Sequence, residues 1–300
     1  MKIFLAGGVS GNLQPAWKRC KQPTPDGFAE ALKDAGFWRG GSRHWLISPS
    51  KENENISCGR GSLAQRGGYD PIIKEHRPFI LESFFYVDAD TERLLPFFGD
   101  FLLDSGAFTF MSGNGGKQSW DEYVERYADF INRNKIEKFF ELDIDVVTGY
   151  EEVKRLRKKL ENLTNKQCIP VWHLSRGAGE YKRHCDEYGY VAIGGIVSKE
   201  IKRDKYGIFT PLLNEAHKRG TKVHGLGFTN LSLLSKYHFD SVDSTAWTTG
   251  NRFGFLYKFD GKTMQKIEAP KGCRISDSRR AALINYTEWI KYQKWAVTHL

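Results

Sequence analysis

With 300 residues and a 40% hydrophobic composition, the chain carries enough apolar material for one large core, and α/β barrels reach this size as single domains. Its 45 Lys and Arg against 36 Asp and Glu give a formal net charge of +9 and a pI of about 9.2, which favours an anionic partner, nucleic acid being the commonest. The five cysteines are scattered, with no C-x-x-C pair, and read as reduced thiols rather than a disulfide frame or zinc knuckle; the apolar run at Met1–Ala6 is too short for a signal peptide, and no stretch reaches the ~20 apolar residues of a membrane span, so a cytoplasmic protein is expected.

In chain order, Lys2–Ala6 reads as a first strand, followed by a loop marked by Gly7, Gly8, Gly11 and Pro15. Phe28–Phe37 has helical spacing, with Phe28, Ala31, Leu32 and Ala35 on one face. From Trp38 to Arg77 no period appears and Gly and Ser are dense, the pattern of a lid or binding loop; its Arg39, Arg43, Arg60 and Arg66 would suit phosphate. Pro78–Val87 is the second strand, Thr91–Phe98 a short helix and Phe101–Asp104 the third strand. Ser119 caps a helix over Trp120–Asn132. Strands follow at Lys138–Asp143, Cys168–His173, Tyr190–Gly194, Lys222–Leu226 and Asp240–Asp243. Helices are expected at Tyr150–Leu160, Glu180–Tyr188, Ile208–Arg219 and Leu231–Tyr237, with a polar, Gly-punctuated loop after the last strand and a final helix from Ser276 to about Ala296.

Eight strands with helices between them predict a (β/α)8 TIM barrel in one domain spanning 1–300, with an irregular insertion at about 38–77 and a C-terminal helical extension at about 255–300. A doubly wound open sheet is the alternative, weakened because no G-x-G-x-x-G follows the first strand. In such a barrel the chemistry sits at the strand C-termini. Asp104, Asp143 with Asp145, His173, Gly194-Gly195 and Asp243 all fall there, as do Gly225 and Gly227, and would converge on one mouth. Two strand-end carboxylates are the minimum kit for attack at a sugar carbon with acid/base help.

Four stretches resemble the tRNA-guanine transglycosylase superfamily, most of all its bacteriophage branch that inserts 7-deazaguanine bases into DNA. Leu103-Asp104-Ser105-Gly106-Ala107-Phe108 is similar to the family's D-S-G-G-F motif, and Ala192-Ile193-Gly194-Gly195-Ile196 to I-G-G-L. Asp240-Ser241-Val242-Asp243-Ser244 is similar to D-x-F-D-C, whose second Asp is the nucleophile, and Asn251-Arg252-Phe253-Gly254 to the N-G-R-x-G that follows. The match runs in the family's order from Asp104 to Gly254. The family's tRNA enzymes also carry a C-x-C-x-x-C zinc site; this chain has only Cys273 there, so no zinc subdomain, metal or other cofactor is expected, and DNA is favoured over tRNA.

The resemblance implies exchange of guanine in double-stranded DNA for a 7-deazaguanine such as 7-cyano-7-deazaguanine. Asp243 would be the nucleophile and Asp104 the general acid/base. Asp143 or Asp145, with Asp143 preferred, would accept from guanine N1–H and the exocyclic amine, and backbone N–H groups at Gly194-Gly195 would donate to O6. His173 stands where the tRNA enzymes have Gln and would take over a base contact. Ser105 joins the substrate set, and Trp247, Phe108 or Trp172 would stack on the base. Glu82-Ser83-Phe84 should border the pocket. Arg252, Arg274, Arg279 and Arg280 are candidate phosphate contacts. The competing readings are a tRNA-guanine transglycosylase, an N-glycoside hydrolase and a non-catalytic nucleic-acid-binding barrel.

Overall fold

The computed structural model describes residues 1–8, 12–37, 46–49, 51–52, 70–106, 109 and 119–300. Phe108, Arg39, Arg43, Arg60 and Arg66 therefore lie outside the described residues, as does most of the 38–77 insertion. Seven parallel strands form one sheet in the order β4-β3-β1-β8-β7-β6-β5. They are β1 (Lys2–Ala6), β3 (Phe79–Ser83), β4 (Asp100–Asp104), β5 (Val171–Trp172), β6 (Tyr190–Ile193), β7 (Lys222–Gly225) and β8 (Ser241–Ser244). A short β2 (Ile47–Pro49) pairs instead with β11 (Cys273–Ile275), and β9 (Phe255–Phe259) forms a hairpin with β10 (Met264–Glu268).

Alternation along the strands sorts side chains onto two buried faces, as expected of a parallel sheet covered on both sides. Ile3, Leu5, Ile80, Val191, Ile193, Val223 and Val242 point outward into the larger core shared with the helices. Phe4, Ala6, Leu81, Leu102, Val171 and Ala192 form a separate inner cluster. That cluster joins Leu102 of one edge strand to Val171 of the other, so the sheet curls into a half-barrel around it. The same parity puts Asp104, His173, Gly194, His224 and Asp243 on the inner side.

The expected strand at Lys138–Asp143 is reduced to two isolated parallel bridges, Leu103 to Phe139 and Phe140 to Ile169. The ladder stops there for a chemical reason. Pro170 has no N–H to donate, and the Val171 N–H donates instead to the Glu141 side chain at 2.8 Å. The loop expected after β8 is a helix, Ala246–Phe253, closed by Gly254 in the left-handed conformation (φ 71°). Its start follows Thr245, and its burial of Trp247 supplies the stability that local propensity does not.

The Trp120–Arg133 helix follows its sequence signals: the Ser119 side chain accepts from the Glu122 N–H, acidic residues fill the first turn and Arg133 the last. Its Tyr123, Val124, Tyr127, Phe130 and Ile131 pack on Val153, Leu156 and Leu160 of the Tyr150–Thr164 helix. The last helix, Ser278–His299, is less an extension than part of the outer layer. Gln293 Nε2 donates to the carbonyls of Ile3 (2.6 Å) and Phe79 (3.0 Å), tying β1 to β3. Cys20, Cys168 and Cys185 are free and buried, whereas Cys273 is disulfide-bonded, which corrects the expectation of reduced thiols at that position. No helix among the described residues is long and apolar enough to cross a membrane.

Trp247 and Trp172 are core residues and do not face a ligand. Trp247 is 1% exposed, its Nε1–H donates to the Ala6 carbonyl at 3.0 Å, and its ring lies 5.9 Å from that of Tyr286. Trp172 donates to the Gly177 carbonyl and packs edge-on against Tyr181. The outward parity of Trp172 and the helical start at Ala246 decide this, against the expectation that either stacks on a base. Trp247→Ala should cost about 3–5 kcal/mol of stability, read by thermal or denaturant unfolding.

Candidate active site

Asp104 ends β4 and Asp243 sits in β8, both on the inner side of the curled sheet. Burial pushes the Asp104 carboxyl up to about 6, and repulsion from Asp243 and Asp143 adds to it, against the Gly106 N–H (2.9 Å) and Ser83 hydroxyl that favour its anion. The two predicted catalytic carboxylates thus share the inner side of the curled sheet, where the charge of Asp243 acts on Asp104. Gly106 holds φ 82°, where a side chain would strain the backbone and crowd the Tyr123 hydroxyl. Ser105, 1% exposed, supports this turn through its carbonyl, which accepts from Tyr123 at 2.6 Å; its own hydroxyl has no partner among the described residues.

Asp243 is held from two sides. Its Oδ1 accepts from the Gly227 N–H at 2.6 Å and meets His224 Nε2 at 3.2 Å. His224 was not singled out by the sequence reading, yet it is fully buried on the inner face. A carboxylate only accepts, so Nε2 carries the proton. His224 Nδ1 lies 2.6 Å from the Ser241 hydroxyl, which in turn meets the Tyr190 hydroxyl. A chain Tyr190–Ser241–His224–Asp243 thus runs across the inner side of the sheet to the carboxylate, its last three members buried. The available sequence signal was strand parity: in Lys222-Val223-His224, outward Val223 makes His224 inward.

On the opposite side, Asp143 accepts from His173 Nε2 at 2.8 Å and from Arg176 Nη2 at 2.9 Å. His173 Nδ1 lies 3.0 Å from Glu200. Burial would lower the His173 pKa, but hydrogen bonds to Asp143 and Glu200 outweigh it and raise it to about 9. Both ring nitrogens are therefore committed to carboxylates. This corrects the expectation of a direct base contact from His173: its part is to orient Asp143. Arg176 also binds Asp145 at 2.8 Å and lies 4.3 Å from the centre of the Tyr150 ring. Among the described residues each Asp143 oxygen has one donor, which leaves it a second lone pair.

Gly194 is required for packing more than for donation. Its N–H donates to the Trp172 carbonyl at 2.8 Å, so it is not free for a base, which corrects that expectation and leaves Gly195 as the candidate donor. A Cβ on Gly194 would lie 2.8 Å from the His173 ring, and one on Gly195 (φ 77°) 2.7 Å from Glu200. Asp143, Asp145, Tyr150, His173, Lys199 and Glu200 line an open cleft of about 880 Å³. Among the described residues no cluster of His, Cys, Asp and Glu has the arrangement of a metal site.

Of the four predicted phosphate contacts, Arg252 and Arg274 are exposed; Arg252 stacks on exposed Phe253. Arg279 is partly committed, donating to the Ala35 carbonyl at 3.0 Å.

The His173 cluster makes a pH prediction. A histidine whose folded pKa is raised contributes stability that is full below its ordinary value of 6.5 and is lost as pH rises through about 9. Unfolding free energy should fall by up to about 3 kcal/mol between pH 6.5 and 9.5, and His173→Gln should flatten that decline in denaturant titrations.

No protein-family model matches the chain, and no curated protein matches it. Among solved structures it is similar to the carboxyl transferase domain of Rhizobium etli pyruvate carboxylase, at TM-score 0.39 and 12% identity over 74% of this chain and 42% of that one. It is also similar to Rhizobium etli pyruvate carboxylase crystallized without acetyl coenzyme-A, at TM-score 0.36 and 13% identity over 72% of this chain and 24% of that one. The chain thus spans less than half the length of these solved structures.

Proposed function

We propose that the protein is a guanine transglycosylase that exchanges guanine in DNA for a 7-deazaguanine base. The observation that carries the reading is the inequality of two carboxylates in one site: Asp104 raised to about 6, and Asp243 fixed by Gly227 and His224. Base exchange needs one group that holds a proton and one that attacks. In the first half-reaction Asp243 attacks the sugar C1′ while the C1′–N9 bond breaks, and the base leaves with the Asp104 proton. In the second, Asp104 takes the N9 proton of the incoming base, N9 attacks C1′, and the bond to Asp243 breaks. Asp143, oriented by His173 and Arg176, accepts from guanine N1–H and its amine. We further infer a closed (β/α)8 barrel, with the bridged segment 138–141 as its eighth strand between β4 and β5.

The test is incorporation of labelled 7-cyano-7-deazaguanine into duplex DNA and, separately, unmodified tRNA. Label in DNA supports the reading, and label in tRNA alone moves the same chemistry to another polymer. Release of free guanine without incorporation would make the protein an N-glycoside hydrolase.

A further inference from the structure

The segment after β6 is rich in exposed cations. Val197, Lys199, Lys202, Arg203 and Lys205 are all exposed, with four cations in seven residues. None of the four forms an ion pair among the described residues. The outer face of the Tyr150–Thr164 helix is just as basic but mostly neutralised: Lys154 pairs with Glu151, Arg155 with Asp121 and Lys159 with Asp121 and Glu125, leaving Lys158 as a single exposed cation outside these pairs. The difference is available charge, not composition.

This strap is also fixed in place. Ile201 is buried and its N–H donates to the Gly195 carbonyl at 3.0 Å; the Glu200 carboxylate turns inward to accept from the Ser175 N–H (2.7 Å) and to meet His173. Tyr206 is buried at the far end. Lys199, just before these anchors, holds φ 63°, an uncommon conformation for a residue with a side chain. The strap touches both halves of the site: Val197 packs over Gly227, whose N–H holds Asp243, and Glu200 holds His173, which orients Asp143.

We propose that the 197–205 strap is the surface that holds the phosphate backbone of duplex DNA beside Asp243, with Lys199, Lys202, Arg203 and Lys205 as the phosphate contacts. The proposal rests on the nucleic-acid reading above and names the surface that reading needs. Four unpaired cations on an anchored loop bind a polyanion at little ordering cost and release its counterions.

The experiment is fluorescence anisotropy with a labelled duplex DNA, and with tRNA in a parallel arm, across about 50–200 mM salt. The variant Lys199→Ala/Lys202→Ala/Arg203→Ala/Lys205→Ala is compared with a control losing equal charge from exposed outer positions, Lys33→Ala/Lys158→Ala/Lys218→Ala/Lys236→Ala. The strap variant should bind DNA on the order of 10²-fold more weakly, with a log–log salt slope shallower by about 3–4, whereas the control slope stays near wild type. If the quadruple variant melts early, Lys202→Ala/Lys205→Ala should show about half the change. A wild-type slope in the strap variant, an equal loss in the control, or a loss confined to tRNA overturns the proposal. Failure of exchange in the wild type with the slope result intact would sink the chemistry and leave the surface standing.

Discussion

Asp243→Ala is expected to abolish covalent capture of the polymer and to lower base exchange by at least ~10³-fold, while DNA affinity stays within a few-fold of wild type. A nucleophilic carboxylate gains from being held in line with C1′, and here one oxygen is pinned by the Gly227 N–H and the His224 ring. Removing the pin should therefore cost rate without removing the nucleophile. His224→Phe keeps ring volume but lacks the donor, and is expected to slow exchange about 10- to 100-fold at unchanged DNA affinity. His224→Gln, which retains an N–H, should recover part of it. Denaturing gels of the trapped polymer–protein adduct, with single-turnover rates, read both effects. Full exchange in Asp243→Ala would remove the central assignment; full exchange in His224→Phe would reduce His224 to core packing.

The second large effect separates activity from stability. Asp104→Asn should lower exchange about 10²- to 10⁴-fold, the usual worth of a positioned general acid/base. The same change should stabilise the fold near neutral pH. A carboxyl whose folded pKa is raised from its ordinary 3.8 to about 6 destabilises the native state as pH climbs through that interval, because the buried anion is the disfavoured form. The cost reaches up to about 3 kcal/mol above pH 6, and the neutral amide escapes it. Denaturant unfolding at pH 4 and pH 8 should show the variant gaining on wild type only at the higher pH. A variant less stable than wild type at pH 8 would mean that Asp104 is chiefly a structural hydrogen-bonding group for the Gly106 turn.

The strands and the residues that end them are local features of the chain. The apolar runs at Lys2–Ala6, Phe101–Asp104, Cys168–His173, Tyr190–Gly194 and Asp240–Asp243 read as strands, so Asp104, His173, Gly194 and Asp243 were legible as one set at the strand C-termini. The capped Trp120–Arg133 helix was legible for a similar reason, since its cap, charge order and apolar face are all local. Tertiary structure decided what those residues do to one another. Asp143, His173 and Glu200 are separated by 30 and 27 residues, and only the curl of the sheet brings their side chains within hydrogen-bonding distance. Trp247 is withdrawn from any ligand because a short helix, unsupported by local propensity, is stabilised by its burial on β1 and the last helix. The strand expected at 138–143 shrinks to two bridges because Pro170 lacks a donor and the Val171 N–H turns to a side chain. Local periodicity chooses which way a side chain points; the long-range pairing of charges and the desolvation that shifts their pKa values exist only once the chain has closed around them.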